Sequence, residues 1–297
     1  MTSSGSSDRL GRTRAAQDGA RIEGREVKLS STRSRLLRHT SSTREALAHN
    51  AAHQFAASHA LLVFRTGAVY SFIPKNGCTT LRYSLALANG CIADAEDFSW
   101  VHKNNATFAA NLREIACAPF SFVVLRDPLA RLASVYLDKI VARRPQAWGL
   151  LDTMAEGTDP DTLTFRKFVE VLMQPYMLAL DIHWRPQVDF LVYEHYDAVI
   201  RLEALSEAAP MLAERAGLEL MDARALSGHG NDRYEAIAPG MYADLSPAEI
   251  RAMRAEGKTV ALLDLYDAGL RRIVSRKYAD DVALYEAMFG ETPPSLR

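Results

Sequence analysis

Cysteine is scarce in this chain. Cys78, Cys91 and Cys117 are the three among 297 residues, too few and too irregularly spaced for a disulfide framework or a zinc site. No metal is therefore expected, and a reducing, cytoplasmic setting is. Long apolar runs are lacking too. Nothing approaches the roughly 18 residues of a spanning helix, and the N-terminus has no secretory apolar core. No transmembrane segment is expected. Nor is there an excess of either charge: 35 Lys and Arg stand against 36 Asp and Glu, which gives no reason to expect nucleic acid as a partner. Aromatic residues are absent from residues 1–45, which are rich in Ser, Thr, Gly and Arg. Such a segment cannot bury enough apolar surface to order itself. It reads as a disordered basic arm, at most able to touch an anionic or membrane surface, ahead of a domain over residues 46–297.

What is present has the balance of a soluble globular protein, 48% hydrophobic and 24% charged. The length suits one α/β domain with a sizeable core. Ala68–Ile73 is apolar and β-prone, a short buried strand expected to pair as a hairpin with His59–Phe64. After it come Pro74, Lys75, Asn76, Gly77, Cys78, Thr79 and Thr80, then Leu81, Leu85 and Ala88 at helical spacing, with a stop at Asn89-Gly90. Strand, tight loop and helix aim free backbone amides at an anion, and the helix dipole adds to the attraction. Gly77 permits close approach, Lys75 brings a point charge, and Thr79 and Thr80 offer hydroxyls. The order is not that of a Walker A loop, where the lysine follows the last glycine. It is not a Cys-x5-Arg loop either, since Ser84 stands six beyond Cys78.

A second strand, Phe120–Leu125, runs into Arg126-Asp127-Pro128, with Pro128 suited to a first helical turn. Leu129, Leu132, Val135, Tyr136 and Ile140 then form a helical stripe, and Ser134 lies inside it. A helix over Thr107–Ile115 is expected before this strand, and a surface excursion over Val141–Asp161 after it. Another helix follows from Thr164, a strand over Ala198–Leu202, and a helix from Ser206 to Ala216. Ser246-Pro247-Ala248-Glu249 is a capping box, and Tyr278, Val282, Tyr285 and Phe289 close the chain as a helical stripe. His49 and His53, four apart and without carboxylate or thiol company, read as surface residues. Strands alternating with helices indicate an α/β fold with a central, largely parallel sheet, whose ligands sit beyond the strands' carboxyl ends.

Three segments carry a family resemblance. Pro74-Lys75-Asn76-Gly77-Cys78-Thr79-Thr80 resembles the 5′-phosphosulfate loop of sulfotransferases that use 3′-phosphoadenosine 5′-phosphosulfate (PAPS). Arg126-Asp127-Pro128 with Arg131, Ser134 and Tyr136 resembles their R-D-P-x-x-R-x-x-S-x-Y pattern. His183-Trp184-Arg185-Pro186-Gln187, with Tyr196-Asp197 and Glu203 downstream, resembles segments of the carbohydrate sulfotransferase group that includes the chondroitin and dermatan enzymes. Ala198, Ile200 and Leu202 depart from that group's usual Phe, Gly and aromatic. The resemblance implies a P-loop-like fold, PAPS as donor and a carbohydrate or glycan acceptor. It gives Lys75 and Asn76–Thr80 to the phosphosulfate, Arg126 and Ser134 to the 3′-phosphate, and His183, Trp184 and Arg185 to the acceptor. It implies His102 as the base, with His183 competing and Glu96 or Asp97 behind them. Two other readings stand beside it: an ATP-dependent small-molecule kinase of P-loop-like fold, and a non-catalytic nucleotide- or glycan-binding relative.

Overall fold

A computed structural model describes residues 21–22, 25–26, 35–40, 46–154, 158–223, 226 and 233–297. Its centre is a four-stranded sheet, β1 (Ala60–Val63), β2 (Ala68–Ser71), β3 (Ser121–Leu125) and β4 (Ala198–Arg201), side by side in that order. β1 and β2 form the expected antiparallel hairpin, and β2, β3 and β4 run parallel. Side chains alternate between the two faces, as pleating requires. Tyr70, Phe122, Val124 and Ile200 enter one apolar core, and Val69, Val123 and Leu125 enter another. A third core gathers helices Pro128–Val135, Pro145–Leu151 and Phe165–Leu172 away from the sheet. Helix Cys78–Ala88 follows β2, and helix Pro128–Val135 follows β3 with Pro128 in its first turn. The carboxyl ends of the three parallel strands thus open on one side, where ligands of such sheets bind.

Three expectations are corrected. The excursion over Val141–Asp161 contains helix Pro145–Leu151, opened by Pro145 in its first turn, whose Ala147 and Leu150 are fully buried. In place of one helix over Thr107–Ile115 there is a 3-10 turn, Asn105–Phe108, and then helix Leu112–Cys117, capped by Asn111 and Glu114. His53 is buried, 3% exposed, with its N–H on the Asn50 cap.

The boundary of the arm also moves. Residues 35–40 pack on the sheet domain: Leu37 bridges Tyr193, and Arg35 pairs with Asp197 at 2.5 Å with both side chains buried. Arg35 also donates to the Ala118 carbonyl. The rest of the expected arm, apart from a short pairing of Arg21–Ile22 with Arg25–Glu26, lies outside the described residues. Among the described residues no helix is long and apolar enough to cross a membrane.

Candidate active site

The loop between β2 and the helix from Cys78 has two residues with left-handed backbone, Lys75 at φ 72 and Gly77 at φ 71. Glycine accepts this conformation freely, and lysine does so only where the surroundings impose it. Here they do. Arg131 donates to the Pro74 carbonyl, Arg126 to the Lys75 carbonyl, and the Asn76 amide closes a turn onto Ile73. A β-carbon at Gly77 would stand 2.9 Å from Leu202, so β4's extension seats directly on the loop. The first helical bond runs from the Leu81 N–H to the Gly77 carbonyl. The amides of Cys78, Thr79 and Thr80 precede it and have no acceptor within the helix. They are the free donors that the anion cradle expected from the sequence requires.

The three parallel strands bring the motifs together. One cavity of about 760 Å³ is lined by Lys75, Gly77, Cys78, Thr79, Thr80, His102, Arg126, Ser134 and His183. Asp138 and Lys139 also reach it, from a π-helical segment, Tyr136–Ile140, that continues helix Pro128–Val135. Lys75 Nζ lies 3.0 Å from Asp138 Oδ2, and Lys139 Nζ lies 3.1 Å from the same oxygen. Burial alone would raise the Asp138 carboxyl, but the two ammoniums hold it at about 2. Burial pushes Lys75 below its ordinary value while Asp138 pulls it back up.

His183 is held by a carboxylate. Its Nδ1 is 2.6 Å from Asp181 Oδ1, which also accepts the His183 backbone N–H. An ionised carboxylate only accepts, so the neutral ring donates from Nδ1 and keeps its basic lone pair at Nε2. Burial lowers the imidazole below its ordinary value, against the opposing pull of Asp181. His102 sits on the exposed edge of the same cavity, edge-on to Phe98 at 5.3 Å. The other two expected acceptor residues face elsewhere. Trp184 is 1% exposed in the third core and donates to the Met177 carbonyl. Arg185 pairs with Asp189 and lies over the Phe55 ring. Asn76 is fully buried, its backbone N–H closes onto the Ile73 carbonyl, and its side chain donates to the Val124 carbonyl and to Gln187. It shapes the cradle rather than lining it.

A family model described as the Sulfotransferase family matches residues 59–286. The chain belongs to that family. Carbohydrate sulfotransferase 14 of Mus musculus is 28% identical over 177 residues, 52% of this chain and 46% of the relative. Its counterparts in Homo sapiens and Danio rerio are 28% and 24% identical over similar shares. The match thus spans about half the length of these curated relatives. No solved structure gives a significant match.

Several residues of this sulfotransferase site were missed from the sequence. Asp138 was findable: it lies four beyond Ser134, and residues four apart share a helical face. Asp181 was findable as the carboxylate two before His183. Arg131 and Gln187 stand inside the quoted motifs but were given no role, because their partners are distant in sequence. Arg131 donates to Pro74 and Arg185, and Gln187 exchanges bonds with Arg126 and Asn76. Glu203 and Asp222, which also line the cavity, became neighbours of the cradle only on folding.

Proposed function

We propose that this chain moves a sulfuryl group from PAPS to a hydroxyl of a carbohydrate or glycan-containing acceptor. The observation that carries the reading is the single cavity in which a strand-to-helix anion cradle, Arg126 and Ser134, and a carboxylate-held histidine meet. The donor-binding residues fit a nucleotide with two separate anionic groups. The Cys78–Thr80 amides and Lys75 suit the phosphosulfate, while Arg126 and Ser134 suit the 3′-phosphate through charge-assisted bonds. The names of the relatives support a sugar as the acceptor.

PAPS supplies an activated sulfuryl group. The acceptor oxygen bonds to sulfur as the bond from sulfur to the bridging phosphate oxygen breaks, leaving 3′-phosphoadenosine 5′-phosphate (PAP). The acceptor proton passes to His183 Nε2, the nitrogen that the Asp181 bond leaves basic. Lys75 and the cradle amides meet the charge growing on the leaving oxygen, the form of stabilisation that needs no rearrangement in the transition state. His102, first choice from the sequence, is placed at the cavity edge, where it would orient the acceptor. The three unpaired cysteines support a reducing, cytoplasmic setting, which cell fractionation tests.

Transfer of labelled sulfate from PAPS to a panel of glycans, with EDTA present, tests the reading. Turnover should persist in the chelator, and the wild type should prefer PAP to ADP. Equal affinity for the two nucleotides would favour the kinase reading. PAP binding without transfer to any glycan would favour the non-catalytic one.

A further inference from the structure

A single carboxylate oxygen of Asp138 holds both Lys75 and Lys139, at 3.0 and 3.1 Å, with all three side chains largely buried. Lys75 is the residue that has to meet the leaving oxygen, yet here its charge is committed elsewhere. We propose that Asp138 is the exchangeable counter-ion of Lys75: it holds the ammonium against the π-helical segment until an anionic donor enters, and Lys139 then keeps the carboxylate while Lys75 turns to the donor. This rests on the donor reading above.

The cluster has the charge balance for such an exchange. Two ammoniums share one carboxylate, so releasing Lys75 does not strand Asp138 alone in a buried place, which is the costly outcome for a buried pair. The exchange needs both Asp138 and Lys139 on the cavity wall, and neighbouring residues of a regular helix point about 100° apart. Both nonetheless line the cavity, in the segment that has widened into π geometry, a feature often found at functional sites.

The groups around Lys75 leave Asp138 as its main negative partner. Lys139 stands on the same segment, Cys78 on the cradle helix, and Arg126 at the end of β3 with its Nη1 on the Lys75 carbonyl. His183, itself held by Asp181, lines the same cavity close enough for the Lys75 charge to oppose its own. Burial favours the neutral amine, and Asp138 offsets it. In the donor complex the donor's own charge takes that role. Asp138 is accordingly a positioning residue, and it touches no reacting atom.

The test measures PAP binding and turnover against pH for the wild type, Asp138→Asn, Asp138→Glu and Lys139→Met. In Asp138→Asn a negative charge facing the incoming nucleotide is gone, so PAP should bind about tenfold more tightly or better near pH 6.5. The alkaline limb of kcat/KM for the donor, which reports the free enzyme, should move to lower pH by about one unit or more, because Lys75 has lost an opposite charge within contact distance. Asp138→Glu should restore both. Lys139→Met should weaken PAP about tenfold, since Asp138 then has no second cation to release Lys75 to the donor. A purely structural Asp138 would lower the melting temperature and leave the alkaline limb in place. That result, or Asp138→Asn binding PAP no more tightly than the wild type, overturns the proposal. If Asp138→Asn does not fold, Lys139→Met decides alone, and unchanged or tighter PAP binding overturns it. A wild type that fails to bind PAP takes down the donor reading and this inference together. A wild type that binds PAP with unresponsive variants takes down the inference only.

Discussion

In the proposed transfer Lys75 and His183 serve opposite ends, so their losses should be separable. Lys75→Ala removes a charge that matters most when the leaving oxygen becomes anionic, and turnover should fall by about two to three decades. Arg126→Ala removes a forked donor and should raise the PAP dissociation constant by about one to three decades, measured by calorimetry. His183→Ala should leave PAP affinity nearly intact, lower turnover by about two to four decades and abolish the acidic limb of the pH profile. In the wild type that limb should lie below the ordinary histidine range, because burial lowers the His183 value and the base works only once deprotonated. If His102→Ala erases the limb and His183→Ala does not, the base belongs to His102. At this scale the sequence singled out Lys75, Gly77, Arg126 and Ser134, which the fold brings to one cavity because each stands where a strand passes into a helix or inside that helix. It also singled out Trp184 and Arg185, whose side chains serve the core and an ion pair with Asp189, contacts that only folding creates.

The cradle loop is the element on which the site depends. Its two left-handed residues are imposed by bonds from Arg126, Arg131 and the Asn76 turn, so a side chain at Gly77 strains both backbone and packing. Gly77→Ala should cost about 1–3 kcal/mol of stability and weaken PAP binding with it, read from chemical denaturation and calorimetry on the same sample. An alanine variant as stable as the wild type would mean that the left-handed turn is not enforced. Strands and helix starts here were legible because they carry local signals: short continuous apolar runs in β2 and β3, buried on both faces, Pro128 at a first turn, and the box at Ser246, where the Glu249 side chain closes back as expected. The helix from Pro145 was missed because a proline after two arginines reads equally as a stop and as a start, and only the packing of Ala147 and Leu150 decides between them.

Across the whole molecule, the edge of the folded domain lies upstream of where composition puts it. The few apolar residues around Arg35 gave no pattern, yet Arg35 closes a buried pair with Asp197, which also accepts from Ser121. Deleting residues 1–34 should leave the melting temperature unchanged, whereas deleting 1–40 strands Asp197 and should cost about 3–5 kcal/mol. Equal melting of the two truncations would show that the pair contributes nothing. A second whole-molecule effect comes from Asp281, which accepts the Gln187 and Val188 amides that frame the site. Burial raises its carboxyl from 3.8 to about 6, although Arg131 and those amides oppose the rise. A raised native value means that this group favours folding at low pH and loses that contribution as pH climbs through about 6. Asp281→Asn should therefore compare better with the wild type at pH 7 than at pH 4, by on the order of 1–3 kcal/mol. A difference independent of pH would show that Asp281 keeps an ordinary value.

The chain also carries its own occupancy gauge. Cys78 opens the cradle helix inside the cavity, while Cys117 is exposed at the end of helix Leu112–Cys117. A thiol reagent such as iodoacetamide, read out by peptide mass spectrometry, should reach Cys117 at the same rate whether or not PAP is present. Alkylation of Cys78 should slow as the nucleotide fills the cradle, so the ratio of the two modified peptides titrates donor binding in the unaltered protein, without acceptor, radiolabel or mutation.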